Sequence, residues 1–194
     1  MSDIIHPFQI PIYQSFIDNN SFIQIKKDVL AYINNNKEEF KRSWDCPTLS
    51  TVNSDLSLES VSLKNELKKS TEIYFKEWGF KGTYNLKFSN IWINISPKGS
   101  FQESHKHGEY FKRTVFSGVL YINTSKDSGD LTLVNPIEDQ LLLGLPSQKI
   151  IPRLKIPPED RKIIYFPSWM DHFVGENKNN QDRISVSWNI EIKN

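Results

Sequence analysis

Residues 183–192, RISVSWNIEI, decide the fold. Arg183, Ser185, Ser187, Asn189 and Glu191 fall on one face of an extended strand, and Ile184, Val186, Trp188, Ile190 and Ile192 fall on the other. Residues 90–95, NIWINI, repeat the pattern, with Asn90, Trp92 and Asn94 set against Ile91, Ile93 and Ile95. Residues 113–121 alternate less cleanly, with Arg113, Ser117 and Tyr121 on one side and Phe116, Leu120 and Ile122 opposite. Further strands are expected at 130–134, 148–155, 161–166 and 170–174, each bounded by Gly, Pro, Asp or Asn. Seven or eight short antiparallel strands from residue 86 onward predict a sandwich or jelly roll.

Upstream of residue 86 the apolar period is helical. Phe22, Ile25, Val29, Leu30 and Ile33 predict an amphipathic helix over 21–39. Val61, Leu67, Tyr74, Phe75 and Trp78 predict a second over about 58–78, with Gly79 as its stop. Between them KRSWDCPTLSTVNSDLS, residues 41–57, reads as a loop. A chain of 194 residues suits one domain, with 1–82 as a helical N-terminal part and 83–194 as the β core. Such strands can pack their apolar faces together and wet the polar ones. Alternatively, the helices can cover the apolar face while the polar face lines a ligand cavity.

Charge narrows the partners. Lys+Arg is 24 against Asp+Glu 23, a net charge of +1, with no run of five like charges to grip a polyanion, so nucleic acid is not an expected partner. No apolar stretch is long enough to span a bilayer, and MSDIIHPFQIPIYQ lacks the basic start and apolar run of a secretory signal. With a single cysteine, Cys46, these features predict a cytoplasmic location.

The polar faces carry the chemistry. In an extended strand His105 and His107 point to the same side, so both imidazoles can reach one ion at the roughly 2 Å metal–nitrogen distance. His172, after FPSWMD, is the candidate third ligand, while His6 near the terminus is left out of the site. Eleven residues beyond His172 stand Arg183 and Ser185, whose guanidinium and hydroxyl can clamp one carboxylate. A metal with a small anionic co-substrate is the resulting expectation.

The spacing resembles the Fe(II)/2-oxoglutarate-dependent oxygenase superfamily, with its His-x-Asp/Glu, distal His and Arg-x-Ser. NIWINISPKGSFQESHKH, FSGVLYIN, SGDLTLVNP, IIYFPSWMDHFV and DRISVSWN follow the order of a subfamily found in bacteria and phages, over residues 90 to 190. The resemblance implies a double-stranded β-helix (jelly roll) with the N-terminal helices packed on one sheet. It implies that His105, His107 and His172 hold Fe(II), and that Arg183 and Ser185 bind the distal carboxylate of 2-oxoglutarate. Tyr121 matches a tyrosine that bonds this carboxylate in related prolyl hydroxylases, and Asn94 and Gln102 match polar pocket-lining positions. It implies a dioxygenase that uses O2, hydroxylates a small-molecule or peptidyl substrate, and releases succinate and CO2. Asn90, Trp92, Asn94 and the loop with Trp44 and Cys46 are candidates for the substrate side.

Two departures stand out. The wider superfamily has an acid where this chain has His107, and His107-Gly108-Glu109 also reads as His-x-Glu, which would make Glu109 the carboxylate ligand and free His105. Asp160-Arg161 stands where the subfamily often has Pro-x-Gly, a change in a turn and not in the ligands. Two other functions fit a three-histidine jelly roll: a zinc hydrolase or cupin-like isomerase, which leaves Arg183 and Ser185 without a ligand, and a non-catalytic binding module.

Overall fold

The structure is a computed structural model that describes residues 10–43, 45–52, 59–80, 85–107, 114–139 and 151–193. In chain order the elements are β1 (Tyr13–Phe16), α1 (Asn19–Asn35), β2 (Lys41–Arg42), β3 (Leu49–Ser50), α2 (Val61–Trp78), β4 (Asn85–Ser96), β5 (Gln102–His105), β6 (Thr114–Asn123), β7 (Leu131–Val134), β8 (Arg153–Ile156), β9 (Lys162–Pro167), β10 (His172–Val174) and β11 (Arg183–Lys193). They form a seven-stranded sheet in the order β1-β9-β6-β11-β4-β3-β2 and a four-stranded sheet in the order β5-β10-β7-β8. All the pairings are antiparallel, as a jelly roll requires.

The alternation in β11 separates two environments. Its Val186, Trp188 and Ile190 join Ile93 of β4, Phe116, Leu120 and Ile122 of β6, and Ile163 and Tyr165 of β9 in a core closed by the helices. The helices contribute Phe22, Ile25 and Val29 from α1 and Leu63, Leu67, Tyr74 and Phe75 from α2. Each fully buried side chain of this kind stabilises the fold by about 1.5–3 kcal/mol. On the other face, Val119, Tyr121, Ile164 and Phe166 meet Leu131, Leu133, Ile156 and Val174 of the smaller sheet in a second, thinner core. The helices therefore cover the apolar face, and the polar face of β11 turns inward between the sheets.

Local chemistry sets the helix ends. Asp18 caps α1 by accepting from the backbone N–H of Asn20 (2.8 Å) and of Ser21 (3.1 Å). The helix stops at Asn35 and not at residue 39, because the Asn36 amide turns back to donate to the Tyr32 carbonyl (2.9 Å); a single 3-10 turn at Lys37–Glu39 follows. Ser60 caps α2, and Gly79, at φ 85°, ends it in the left-handed conformation. Two residues expected on the apolar stripes face solvent: Leu30 is exposed, and so is Val61 in the first turn of α2.

The N-terminal part is not purely helical. Strand β1 adds to the edge of the larger sheet through β9, and β2 and β3, inside the stretch expected to be a loop, extend the other edge through β4. Strand β8 begins at Arg153, and residues 148–150 of its expected start lie outside the described residues, as do His6 and Trp44. No helix among the described residues is long and apolar enough to cross a membrane.

Candidate active site

The three histidines come from two short segments of the smaller sheet. His105 ends β5 and lies directly opposite His172, the first residue of β10, in antiparallel register. Facing residues on paired strands have Cβ atoms roughly 5 Å apart, so this pairing alone brings two imidazoles together. His107 lies just past the strand end, where its backbone N–H donates to the Ser168 carbonyl (2.9 Å). The ring centroids are separated by 4.2 Å (His105–His172), 4.9 Å (His107–His172) and 5.1 Å (His105–His107). One ligand atom from each lies within 4.8 Å of the others.

Hydrogen bonds fix the tautomers. His105 Nδ1 donates to the Glu103 carbonyl (2.7 Å) and His172 Nδ1 to the Met170 carbonyl (2.9 Å), which leaves the lone pair of each ring on Nε2. His107 Nδ1 lies 2.9 Å from Asn189 Oδ1 and 2.8 Å from Ser117 Oγ. Burial drives the pKa of all three imidazoles below the ordinary range, that of His107 to about 4, and their mutual repulsion adds to the shift at His107 and His172. Three neutral imidazoles converging in this way fit a divalent transition metal.

The same cavity continues from the histidines to Arg183 and is lined also by Trp92, Asn94, Gln102, Tyr121, Ser185 and Ser187. Arg183 is 2% exposed. Its Nη1 donates to the carbonyls of Gly129 (3.1 Å) and Ser128 (3.4 Å), and its Nη2 donates to Ser96 Oγ (3.2 Å). Among the described residues its buried Nε finds no acceptor and no carboxylate pairs with it. Burial pulls its pKa down, opposed by Tyr121 and Cys46, yet a guanidinium stays protonated in proteins. A buried cation satisfied only by neutral groups leaves room for an anion. Tyr121 stands opposite Ser185 in the β6–β11 register, and burial raises its phenol to about 12, so it remains a donor. Asn94, opposite Ser185 on the other side, has a buried Oδ1 without a partner among the described residues.

Residues 90–189, just over half of the chain, match the model of a family described as "Putative 2OG-Fe(II) oxygenase". The chain belongs to that family. It is therefore an oxidoreductase whose chemistry depends on Fe(II), 2-oxoglutarate and O2. No curated protein matches its sequence. Among solved structures, this oxygenase is similar to a Pseudomonas putida prolyl-4-hydroxylase, with a TM-score of 0.65 and 14% identity over 95% of this chain and 94% of that one. It is also similar to a Trichoplax adhaerens prolyl hydroxylase in complex with a hypoxia inducible factor oxygen degradation domain peptide fragment (0.63, 13%, over 94% and 83%). A third is the epimerase SnoN in complex with Fe3+, alpha ketoglutarate and nogalamycin RO (0.68, 12%, over 94% and 79%). At such identities the likeness is one of fold.

The cavity of this oxygenase thus gathers His105, His107, His172, Arg183, Ser185, Tyr121, Asn94, Gln102 and Trp92. Cys46 is buried but does not line it, with its thiol against the Phe101 carbonyl and Thr48 Oγ1. Glu109, the alternative ligand, lies outside the described residues, as does the side chain of Asn90. Sequence reasoning gave no role to Ser117, Asn189 and Ser96, although Ser117 and Asn189 belong to the polar faces of their strands, where a role could have been sought.

Proposed function

We propose that this oxygenase holds Fe(II) on His105, His107 and His172 and binds 2-oxoglutarate with its distal carboxylate on Arg183, Ser185 and Tyr121. The observation that carries the proposal is the buried Arg183, without a carboxylate partner among the described residues, in the cavity that the three histidines enter. The guanidinium supplies charge and direction, Ser185 and the protonated Tyr121 supply hydroxyl donors, and Asn94 lines the polar wall beside them. Leu131, Val174 and Phe166 form the apolar wall that keeps water from the charged contacts. Bound iron, with 2-oxoglutarate and O2, supplies the oxidising power that couples decarboxylation to succinate and CO2 with hydroxylation of a substrate.

Trp92 and Gln102 face the same cavity and are assigned to the substrate side. A net charge of +1 without a basic run favours a small-molecule or peptidyl substrate over a nucleic acid, and a cytoplasmic setting accords with the single buried cysteine. A hydrolytic zinc centre on the same imidazoles would give the buried Arg183 nothing to bind.

Anaerobic addition of Fe(II) and then 2-oxoglutarate is expected to produce a visible metal-to-ligand charge-transfer band. Hydrogen bonds between charged groups contribute about 1.5–3 kcal/mol, so Arg183→Ala should weaken 2-oxoglutarate binding by about 10- to 100-fold or more. No band from the wild type, or an unchanged titration in Arg183→Ala, would overturn the assignment. Succinate release across a panel of metabolites and peptides would then identify the substrate.

A further inference from the structure

We infer that Asn189, together with Ser117, is a positioning residue that locks His107 into the tautomer and orientation a metal ligand needs; the inference rests on the three histidines being an iron site. The three imidazoles are not held alike. His105 and His172 each place Nδ1 on a main-chain carbonyl two residues earlier in their own segment, so each is oriented by the backbone that carries it. Among the described residues no such carbonyl meets the Nδ1 of His107. It lies beyond the last residue of β5, and its Nδ1 is met by side chains from two strands of the opposite sheet, Asn189 of β11 and Ser117 of β6.

With Asn189 presenting its Oδ1 to His107 and Ser117, the network has one self-consistent set of protons. Ser117 donates its hydroxyl proton to Asn189 Oδ1 (2.8 Å), so toward His107 the Ser117 oxygen can only accept. Asn189 Oδ1 is an acceptor in any case. Both neighbours of Nδ1 are therefore acceptors, the proton sits on Nδ1, and Nε2 carries the lone pair that faces the other two rings. Ser168 Oγ, 3.0 Å from Ser117 Oγ, completes the chain as a donor, and the Ser168 carbonyl holds the His107 backbone. Asn189 and Ser117 face each other in the β6–β11 register, so the pair is set by the sheet and not by a loop. Trp92, at 5.6 Å between ring centroids and edge-on, flanks His107 without fixing its tautomer. Partners of this kind behind a metal ligand contribute about 10- to 100-fold in metal affinity.

The test is anaerobic Fe(II) titration of the whole protein against a chromophoric chelator, without 2-oxoglutarate or O2, so that metal affinity is read apart from turnover. Asn189→Ala and Asn189→Leu remove the acceptor and are expected to weaken Fe(II) binding by about 10- to 100-fold. Asn189→Asp is still only an acceptor and is expected to restore tight binding. Because its charge makes His107 a more electron-rich ligand, the band formed with added 2-oxoglutarate should move to longer wavelength. Ser117→Ala, which leaves Asn189 Oδ1 in place, should have a smaller effect. Asn189 is half-buried, so the metal-free melting temperatures should stay close to wild type. Wild-type Fe(II) affinity in Asn189→Ala and Asn189→Leu would overturn the inference, as would equal loss in Asn189→Asp. A wild-type protein that binds no Fe(II) would overturn the iron assignment itself, and the two failures are thereby told apart.

Discussion

Arg183 and Arg161 are both anchored by main-chain carbonyls. At Arg183 the guanidinium is held by two carbonyls and a hydroxyl, and Gly129, which supplies one carbonyl, sits at φ 93° with no room for a Cβ: one built there would lie 2.1 Å from the Gly175 oxygen. The glycine of SGDLTLVNP therefore brings a carbonyl up to the arginine. Arg161 also adopts positive φ, 73°. A left-handed non-glycine residue costs about 1–2 kcal/mol. The strain is offset because Arg161 Nε donates to the Ile17 carbonyl (3.2 Å) and its own carbonyl accepts from the Ile17 N–H (3.1 Å), which ties the entry of α1 to the turn. Arg161→Ala keeps the strain and loses the Nε bond, whereas Arg161→Gly loses the bond and relieves the strain. In urea unfolding, Arg161→Gly should therefore be more stable than Arg161→Ala by about 1 kcal/mol. The reverse order would show that the backbone conformation carries no cost here.

Among the elements, β11 determines most of the architecture, since it pairs with β4 along one edge and β6 along the other. Opposite Trp188, on β6, is Gly118, and a Cβ there would lie 2.3 Å from the indole Cζ2. Trp188 is fully buried and packs edge-on to Tyr165, at 5.3 Å between ring centroids, so it cannot move aside. Gly118→Ala is expected to destabilise the protein by about 1–3 kcal/mol or more by overpacking, read as a lower urea midpoint with an unchanged slope. A wild-type midpoint would mean that the indole has slack. These strands were legible in the sequence because a period of two survives wherever one face is buried. Strands β2 and β3 carry two residues each, too few for any period, and β1 leaves Phe16 exposed, so its pattern does not announce a strand. The histidines were legible as a group from spacing and resemblance, but the strand argument held only for His105. His107 lies past the strand end and is aimed by Asn189 and Ser117, a long-range contact that no local pattern encodes.

At the scale of the whole molecule, the cavity joins two sheets with unequal support. The larger sheet is backed by α1 and α2, while the smaller one meets it through the thinner core of Leu131, Leu133, Ile156 and Val174. The three histidines belong to the smaller sheet's side, and Arg183, Ser185 and Tyr121 belong to the larger sheet. A 2-oxoglutarate molecule that reaches from iron to Arg183 would therefore cross-link the two sheets and bind only the folded state. At a ligand concentration of 100 times Kd such binding adds about 2.7 kcal/mol. For a protein of this size each 1 kcal/mol raises Tm by about 2–4 °C, so saturating 2-oxoglutarate with Fe(II) under anaerobic conditions should raise Tm by about 5–10 °C beyond Fe(II) alone. In Arg183→Ala the increment from Fe(II) alone should persist and the increment from 2-oxoglutarate should largely vanish, because only the larger sheet's half of the link is removed. An equal 2-oxoglutarate increment in both proteins would place the distal carboxylate on some group other than Arg183, and would leave that buried cation to be explained by its neutral partners alone.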